Sequence, residues 1–193
     1  MLDTHGRKYV NPIINKTSQL LLKLNLNANH VTFIAFLIGI SSGFFIYYGK
    51  NIMSVILLWL SGYLDAVDGA MARKSNSPTP WGTLMDITFD RIVEMSVIIG
   101  LSLRYPDIRF NLLILMCSIL LSITVFLTVG ALSEKKGIKS FYYQAGIAER
   151  TEGFILFTLM ILLNSYIGII TYIYATIVII TAVQRMIEAK RLL

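Results

Sequence analysis

Six stretches of this chain are apolar over close to the length a helix needs to cross a bilayer, about 20 residues. They run over residues 30–49, 52–72, 83–103, 110–132, 150–164 and 166–187. Nothing else in the sequence restricts the fold so tightly: inside a membrane no water reaches the peptide groups, so a single spanning segment satisfies them within itself, as a helix. Of the 193 residues 55% are hydrophobic, and the mean hydropathy is +0.68, too apolar for a water-soluble domain of this size. The expectation is an all-α, polytopic integral membrane protein with six transmembrane helices. Only Asn164 and Ser165 separate the last two runs, which predicts a tight hairpin there.

Residues 1–28 are of another kind. LDTHGRKYVNPIINKTSQLLLKLNLNAN mixes Lys and Arg with Ile13, Ile14, Leu20, Leu21 and Leu24. That mixture suits an amphipathic helix lying on the membrane surface, its cationic side toward lipid headgroups. It lacks the compact apolar core and small-residue cleavage site of a signal peptide. The chain therefore divides into an amphipathic juxtamembrane helix, 1–28, and a six-helix membrane domain, 29–193.

Basic residues set the orientation. With both termini on one side, that side holds Arg7, Lys8, Lys16, Lys23, Arg73, Lys74, Lys135, Lys136, Lys139, Arg150, Arg185, Lys190 and Arg191, against Lys50, Arg104 and Arg109 on the other. Such an excess predicts cytoplasmic termini, and the compact all-helical chain suggests a prokaryotic inner membrane. The net charge of +6 then reflects orientation and anionic-lipid contact rather than nucleic-acid binding, for which there is no separate basic domain. The single cysteine, Cys117, lies in an apolar run without metal-ligand spacing and reads as packing.

Against this background DAVDGAMARKSNSPTPWGTLMDITFD, residues 65–90, places four aspartates between two apolar runs. At 100° per residue Asp65, Asp68, Gly69, Ala72 and Arg73 share one stripe of the second span, and Gly82, Asp86 and Asp90 one stripe of the third. The polar link KSNSPTP, with Pro78 and Pro80, should end one helix and start the next near Trp81, making the two spans antiparallel neighbours. A charged side chain at mid-bilayer costs roughly 2.5–3.5 kcal/mol on insertion scales. Arg73 and Arg91 offset only part of that, and an all-oxygen ligand set points to a hard divalent cation, Mg²⁺ or Mn²⁺. Two such ions about 3.5–4 Å apart are the arrangement that clamps phosphoryl groups during in-line displacement. Gly69, Ala72 and Gly82 leave bare backbone beside the carboxylates, which reads as a ligand groove.

The spacing D-x2-D-G-x2-A-R-x8-G-x3-D-x3-D, filled by Asp65, Asp68, Gly69, Ala72, Arg73, Gly82, Asp86 and Asp90, resembles the signature of the CDP-alcohol phosphotransferase family. The resemblance implies six-span membrane enzymes, usually homodimers, that hold two divalent cations. It makes Asp65, Asp68 and Asp86 metal ligands and Asp90 the general base, also able to touch metal. Gly69 and Arg73 match positions that contact the CDP moiety of the lipid donor, Ala72 and Gly82 belong to the same groove, and Thr79 matches a polar linker position that helps hold it. N-A-N-H-V-T, residues 27–32, resembles the lead into the family's first span, so Asn29 and Thr32 fall near the nucleotide. The implied reaction carries a phosphatidyl group from a CDP-linked lipid, CDP-diacylglycerol in the first instance, to a small polar alcohol, with release of CMP.

For a phosphorylated acceptor, cations are needed, and Lys135, Arg150 and Arg185 are the candidates. A-E-R at 148–150 and DGAMAR at 68–73 are similar to phosphatidylinositol-phosphate synthases, but Glu152-Gly153 stands where those tend to carry a second Glu-Arg. Inositol phosphate and glycerol 3-phosphate both stay open. Tyr142, Tyr143 and Gln144 read as interfacial, and Arg91 and Glu94 as structural ion partners. The rival reading is a cation- or proton-coupled transporter. It predicts acidic residues spread along a pathway, and inverted repeats, whereas these cluster at one membrane face and no repeat stands out.

Overall fold

The computed structural model describes residues 2–75, 79–133, 146–147 and 149–192. Seven α-helices run through them: α1 Leu2–Lys23, α2 Ala28–Tyr47, α3 Asn51–Lys74, α4 Pro80–Arg104, α5 Arg109–Leu132, α6 Arg150–Leu162 and α7 Ile167–Leu192. Single 3-10 turns at Pro106–Ile108 and Asn164–Tyr166 lead into α5 and α7. Among the described residues there is no strand, so the all-α expectation holds, and the second turn is the tight link expected at Asn164 and Ser165.

Among the described residues four segments are long and apolar enough to cross a membrane: Ala28–Tyr47, Asn51–Lys74, Pro106–Leu132 and Asn164–Arg191. The other two expected spans do not qualify on the same grounds. α4 has the length, 25 residues, but carries Asp86, Asp90, Arg91 and Glu94. α6 has only 13 residues, about 20 Å of helix against a hydrocarbon core of about 30 Å.

By contacts the chain forms two units, His5–Tyr105 and Pro106–Leu193, with Met1–Thr4 grouped with the latter. In the first, α2 packs along both α3 and α4, and α3 and α4 have little direct approach to each other. The side-by-side pairing expected of those two helices is thus made through α2. Small residues allow it. A Cβ at Gly39 would lie 2.5 Å from Val93 of α4 and 2.6 Å from the Ser61 hydroxyl of α3, and one at Gly43 or Gly100 would run into backbone of the facing helix. The buried hydroxyls of Ser42 and Ser54 lie 2.9 Å apart, each 3.0 Å from the other's carbonyl, and fasten α2 to α3. In lipid, where apolar surface gives no drive to associate, such close approach and interhelical hydrogen bonding hold helices together.

At the far end Gly49, with φ +78°, makes the left-handed turn out of α2 that a side chain would resist. Arg104 at the end of α4 donates to the Ile46 carbonyl at 3.1 Å and to the Asn51 side chain, satisfying a terminal acceptor of α2.

α1 stops at Lys23, short of the expected residue 28, and Asn25 turns the chain with φ 57°, a conformation asparagine tolerates. Its Ile14, Leu21 and Leu22 pack with Val31, Val67, Ala70 and Met71. Lys74 donates to the Asn15 carbonyl at 2.8 Å and to Ser18 at 2.7 Å, and Thr17 meets the Tyr63 hydroxyl at 2.6 Å. This helix therefore braces the back of α3. Val10, Ile13 and Leu20 remain exposed on another side of it.

In the second unit α5 and α6 each pack against α7. Phe157 sets its ring edge-on to Tyr174 at 5.2 Å, beside Gly153, where a Cβ would come within 2.6 Å of the tyrosine hydroxyl. Cys117 is exposed on α5 rather than packed inside, which corrects the reading from its apolar neighbours: those neighbours face lipid as readily as core.

Candidate functional site

The acidic stripe of α3 exists because its opposite face is taken. Val67, Ala70 and Met71 are buried toward α1 and α2, and Asp65, Asp68, Gly69 and Ala72 occupy the remaining arc. α4 begins where the sequence predicts. Thr79, with extended backbone, accepts from the Gly82 amide at 3.0 Å as N-cap, and Pro80 stands in the first turn, where a missing N–H costs nothing. That start sets the phase that turns Asp86 and Asp90 toward α3.

Asp65, Asp86 and Asp90 come together. Each offers a carboxylate oxygen within 4.8 Å of the other two, and all three are half-buried. Asp68 lies outside this tight set and is 6% exposed. The spacing and the all-oxygen chemistry of the three fit a hard divalent cation. They converge across the opening left where α2, behind them, keeps α3 and α4 apart. Arg91 is turned to Glu94, 2.6 Å away, as the structural pair expected of them.

The residues expected around a nucleotide lie on the same unit. A Cβ at Gly82 would meet Thr79 Oγ1 at 3.2 Å and Asn29 Oδ1 at 3.3 Å, so Asn29, Thr79 and Gly82 form one cluster. A Cβ at Gly69 would meet only the Arg73 guanidinium, at 3.4 Å, and Arg73 itself is exposed. Ala72 is half-buried. Thr32 is buried and donates its hydroxyl hydrogen to the Ala28 carbonyl at 3.0 Å within its own helix; any contact it makes with a ligand uses the oxygen as acceptor.

The expected acceptor cations belong to the second unit. Arg150 opens α6 with its guanidinium 5.4 Å from the Phe154 ring centroid. Arg185 is 8% exposed, 4.8 Å over the Phe126 ring and 3.4 Å from the Ser122 hydroxyl. Lys135, Tyr142, Tyr143 and Gln144 lie outside the described residues.

Sequence reasoning passed over an apolar groove beside the aspartates, lined by Asn29 and Phe33 of α2 and by Leu84, Met85 and Phe89 of α4. Phe33 and Phe36, three residues apart, were the available signal: both rings meet Phe89, and Phe36 stacks on it at 4.1 Å.

A model of the CDP-alcohol phosphatidyltransferase family matches residues 25–184. The archaetidylinositol phosphate synthase of Pyrococcus horikoshii is 31% identical over 189 residues, which cover 96% of this chain and 95% of that protein. In fold the chain is similar to phosphatidylinositol phosphate synthase of Mycobacterium tuberculosis with CDP-DAG bound. The TM-score is 0.77 at 22% identity, over 92% of this chain and 94% of that one. For the same enzyme in complex with manganese and citrate the TM-score is 0.76 at 21% identity, over 92% and 88%.

Proposed function

The chain belongs to the CDP-alcohol phosphatidyltransferase family and is a transferase of phospholipid biosynthesis; from that premise we propose the substrates, the residues that act on them and the setting. The donor is a CDP-linked lipid, either CDP-diacylglycerol or its ether-linked counterpart. The acceptor is a small phosphorylated alcohol, inositol phosphate or glycerol 3-phosphate. The observation that carries the reading is the convergence of Asp65, Asp86 and Asp90 within 4.8 Å, inside a signature whose eight positions are all filled.

In the reaction the acceptor oxygen bonds to the phosphorus that carries the lipid, the bond from that phosphorus to CMP breaks, and the hydroxyl proton passes to the Asp90 carboxylate. Asp65, Asp68 and Asp86, with Asp90, would hold two divalent ions, Mg²⁺ or Mn²⁺; when bound, these neutralise charge on the diphosphate oxygens. Gly69 and Gly82 let the diphosphate lie close to helix backbone. Asn29, Thr32 and Thr79 offer polar atoms to the nucleotide, Arg73 a cation, and Ala72 keeps the approach clear. Lys135, Arg150 and Arg185 are the cations for the acceptor phosphate. The protein acts as a homodimer with six spans and an N-terminal surface helix, its site and both termini facing the cytoplasm.

The test is CMP release by purified protein given each CDP-lipid, Mn²⁺ or Mg²⁺, and a panel of acceptors. Release that depends on both metal and a phosphorylated alcohol supports the reading. Metal-dependent cation or proton flux in vesicles, with no CMP formed, would instead make the carboxylates a transport site. Arg150→Ala is expected to raise KM for the phosphorylated acceptor by about tenfold or more, as for loss of a charge-assisted hydrogen bond, and to leave KM for the CDP-lipid unchanged.

A further inference from the structure

The guanidinium of Arg185 is held from two elements of the second unit. On α5 it lies 4.8 Å over the Phe126 ring and 3.4 Å from the Ser122 hydroxyl, one turn earlier in that helix. From the chain just before α6 it is met by Gly146. That glycine is buried, and a Cβ there would lie 3.1 Å from Arg185 Nη2 and 3.5 Å from Cζ, and would run into the methyl group of Thr181. The methyl cannot swing aside. Thr181 is itself buried, and its hydroxyl donates to the Ile177 carbonyl at 2.9 Å, which fixes the side chain about its first bond. Bare backbone at position 146 is therefore what lets the chain before α6 lie on α7 and touch the tip of Arg185.

What a guanidinium adds to a charge is direction. Its planar fork binds a phosphate through two parallel N–H groups, so a turn of the plane loses the pairing while the charge remains. We propose that Gly146 is a positioning residue for the acceptor: its backbone, seated against Thr181, keeps the Arg185 fork laid over Phe126 and so sets the affinity for the acceptor's phosphate without touching it. The inference rests on the reading of Arg185 as an acceptor cation.

The experiment compares KM for glycerol 3-phosphate and for inositol 1-phosphate with KM for CDP-diacylglycerol, in CMP release by the full chain with Mn²⁺. Gly146→Ala must lift the backbone off α7. It is expected to raise the acceptor KM about tenfold, as for loss of one charge-assisted hydrogen bond, and to leave the KM for CDP-diacylglycerol unchanged. Two backgrounds separate aim from packing. In Arg185→Lys, which keeps the charge and lacks the fork, Gly146→Ala should add less than about twofold, because residues that act through one interaction are not additive. In Thr181→Ser, which removes the methyl and keeps the hydroxyl, Gly146→Ala should recover most of the loss. If Gly146→Ala alone does not fold, the Thr181→Ser background carries the test: alanine and then valine at position 146 press on the guanidinium with growing bulk, and the acceptor KM should climb in that order.

An acceptor KM that stays at the wild-type value in Gly146→Ala, or across that series, overturns the proposal. So does a rise that Arg185→Lys leaves undiminished, or one shared equally by CDP-diacylglycerol, since Gly146 would then serve packing alone. A wild-type acceptor KM in Arg185→Lys itself, or CMP released with neither acceptor, shows instead that the acceptor reading fails, and the proposal falls with it.

Discussion

Asp90 carries the most specific chemistry assigned to any one side chain. Replacing it with asparagine keeps volume and shape but removes the proton acceptor, and a positioned base is worth about 10²- to 10⁴-fold. Asp90→Asn is therefore expected to lose that much turnover while the protein keeps its elution profile and thermal midpoint; full activity in the variant would take the base role away from Asp90. Gly69 makes the complementary case. A Cβ there meets only the tip of Arg73 at 3.4 Å, and alanine in a helix is favoured over glycine by about 1 kcal/mol. Gly69→Ala should leave stability equal or raised in thermal unfolding and weaken CDP-lipid binding, because the methyl group stands where the diphosphate is proposed to approach. The approach of Asp65, Asp86 and Asp90 was legible because helical periodicity depends on spacing alone; that Asp68, on the same stripe as Asp65, lies outside their set was not. The partners of Arg185 were not: Ser122 and Phe126 lie about sixty residues earlier in the chain, and no local pattern links them to it.

At the scale of helices, packing rather than composition decides the arrangement. The start of α4 could be read from Thr79 and Pro80 because a cap is a local event. That α2 stands behind both site helices could not, because it depends on which small residues face which, and Gly39, Gly43 and Gly100 look alike in sequence. The brace of α1 on α3 was hidden for a related reason: Lys74 read as one more anchoring cation, yet it reaches back to Asn15 and Ser18. Gly43 tests this arrangement. Its missing side chain leaves room for the Ser96 carbonyl of α4, and backbone, unlike a flexible side chain, does not yield. Gly43→Val is expected to destabilise by at least the 1–3 kcal/mol typical of an overpacked core, read as a lowered unfolding midpoint in detergent. Because α2 holds α3 and α4 in place, divalent-ion affinity should fall as well. Valine at exposed Leu37, on the same helix, should change neither.

For the whole molecule the governing fact is that three half-buried carboxylates lie within 4.8 Å of one another in a membrane protein. Like charges held that close repel one another, and a cation bound among them relieves the repulsion. A divalent ion that binds the folded chain and not the unfolded one stabilises it by mass action, about 2.7 kcal/mol at a hundredfold excess over Kd. The thermal midpoint should therefore rise with Mn²⁺ or Mg²⁺, saturate, and return to its starting value with EDTA. Asp86→Asn should remove most of the metal-induced rise, and with the repulsion relieved its metal-free midpoint should equal or exceed that of the wild type. A wild-type midpoint indifferent to divalent ions would mean that the carboxylates are compensated by other means, and the site would lose its metal. This measurement needs neither donor nor acceptor, so it judges the carboxylate cluster separately from every proposal about substrate.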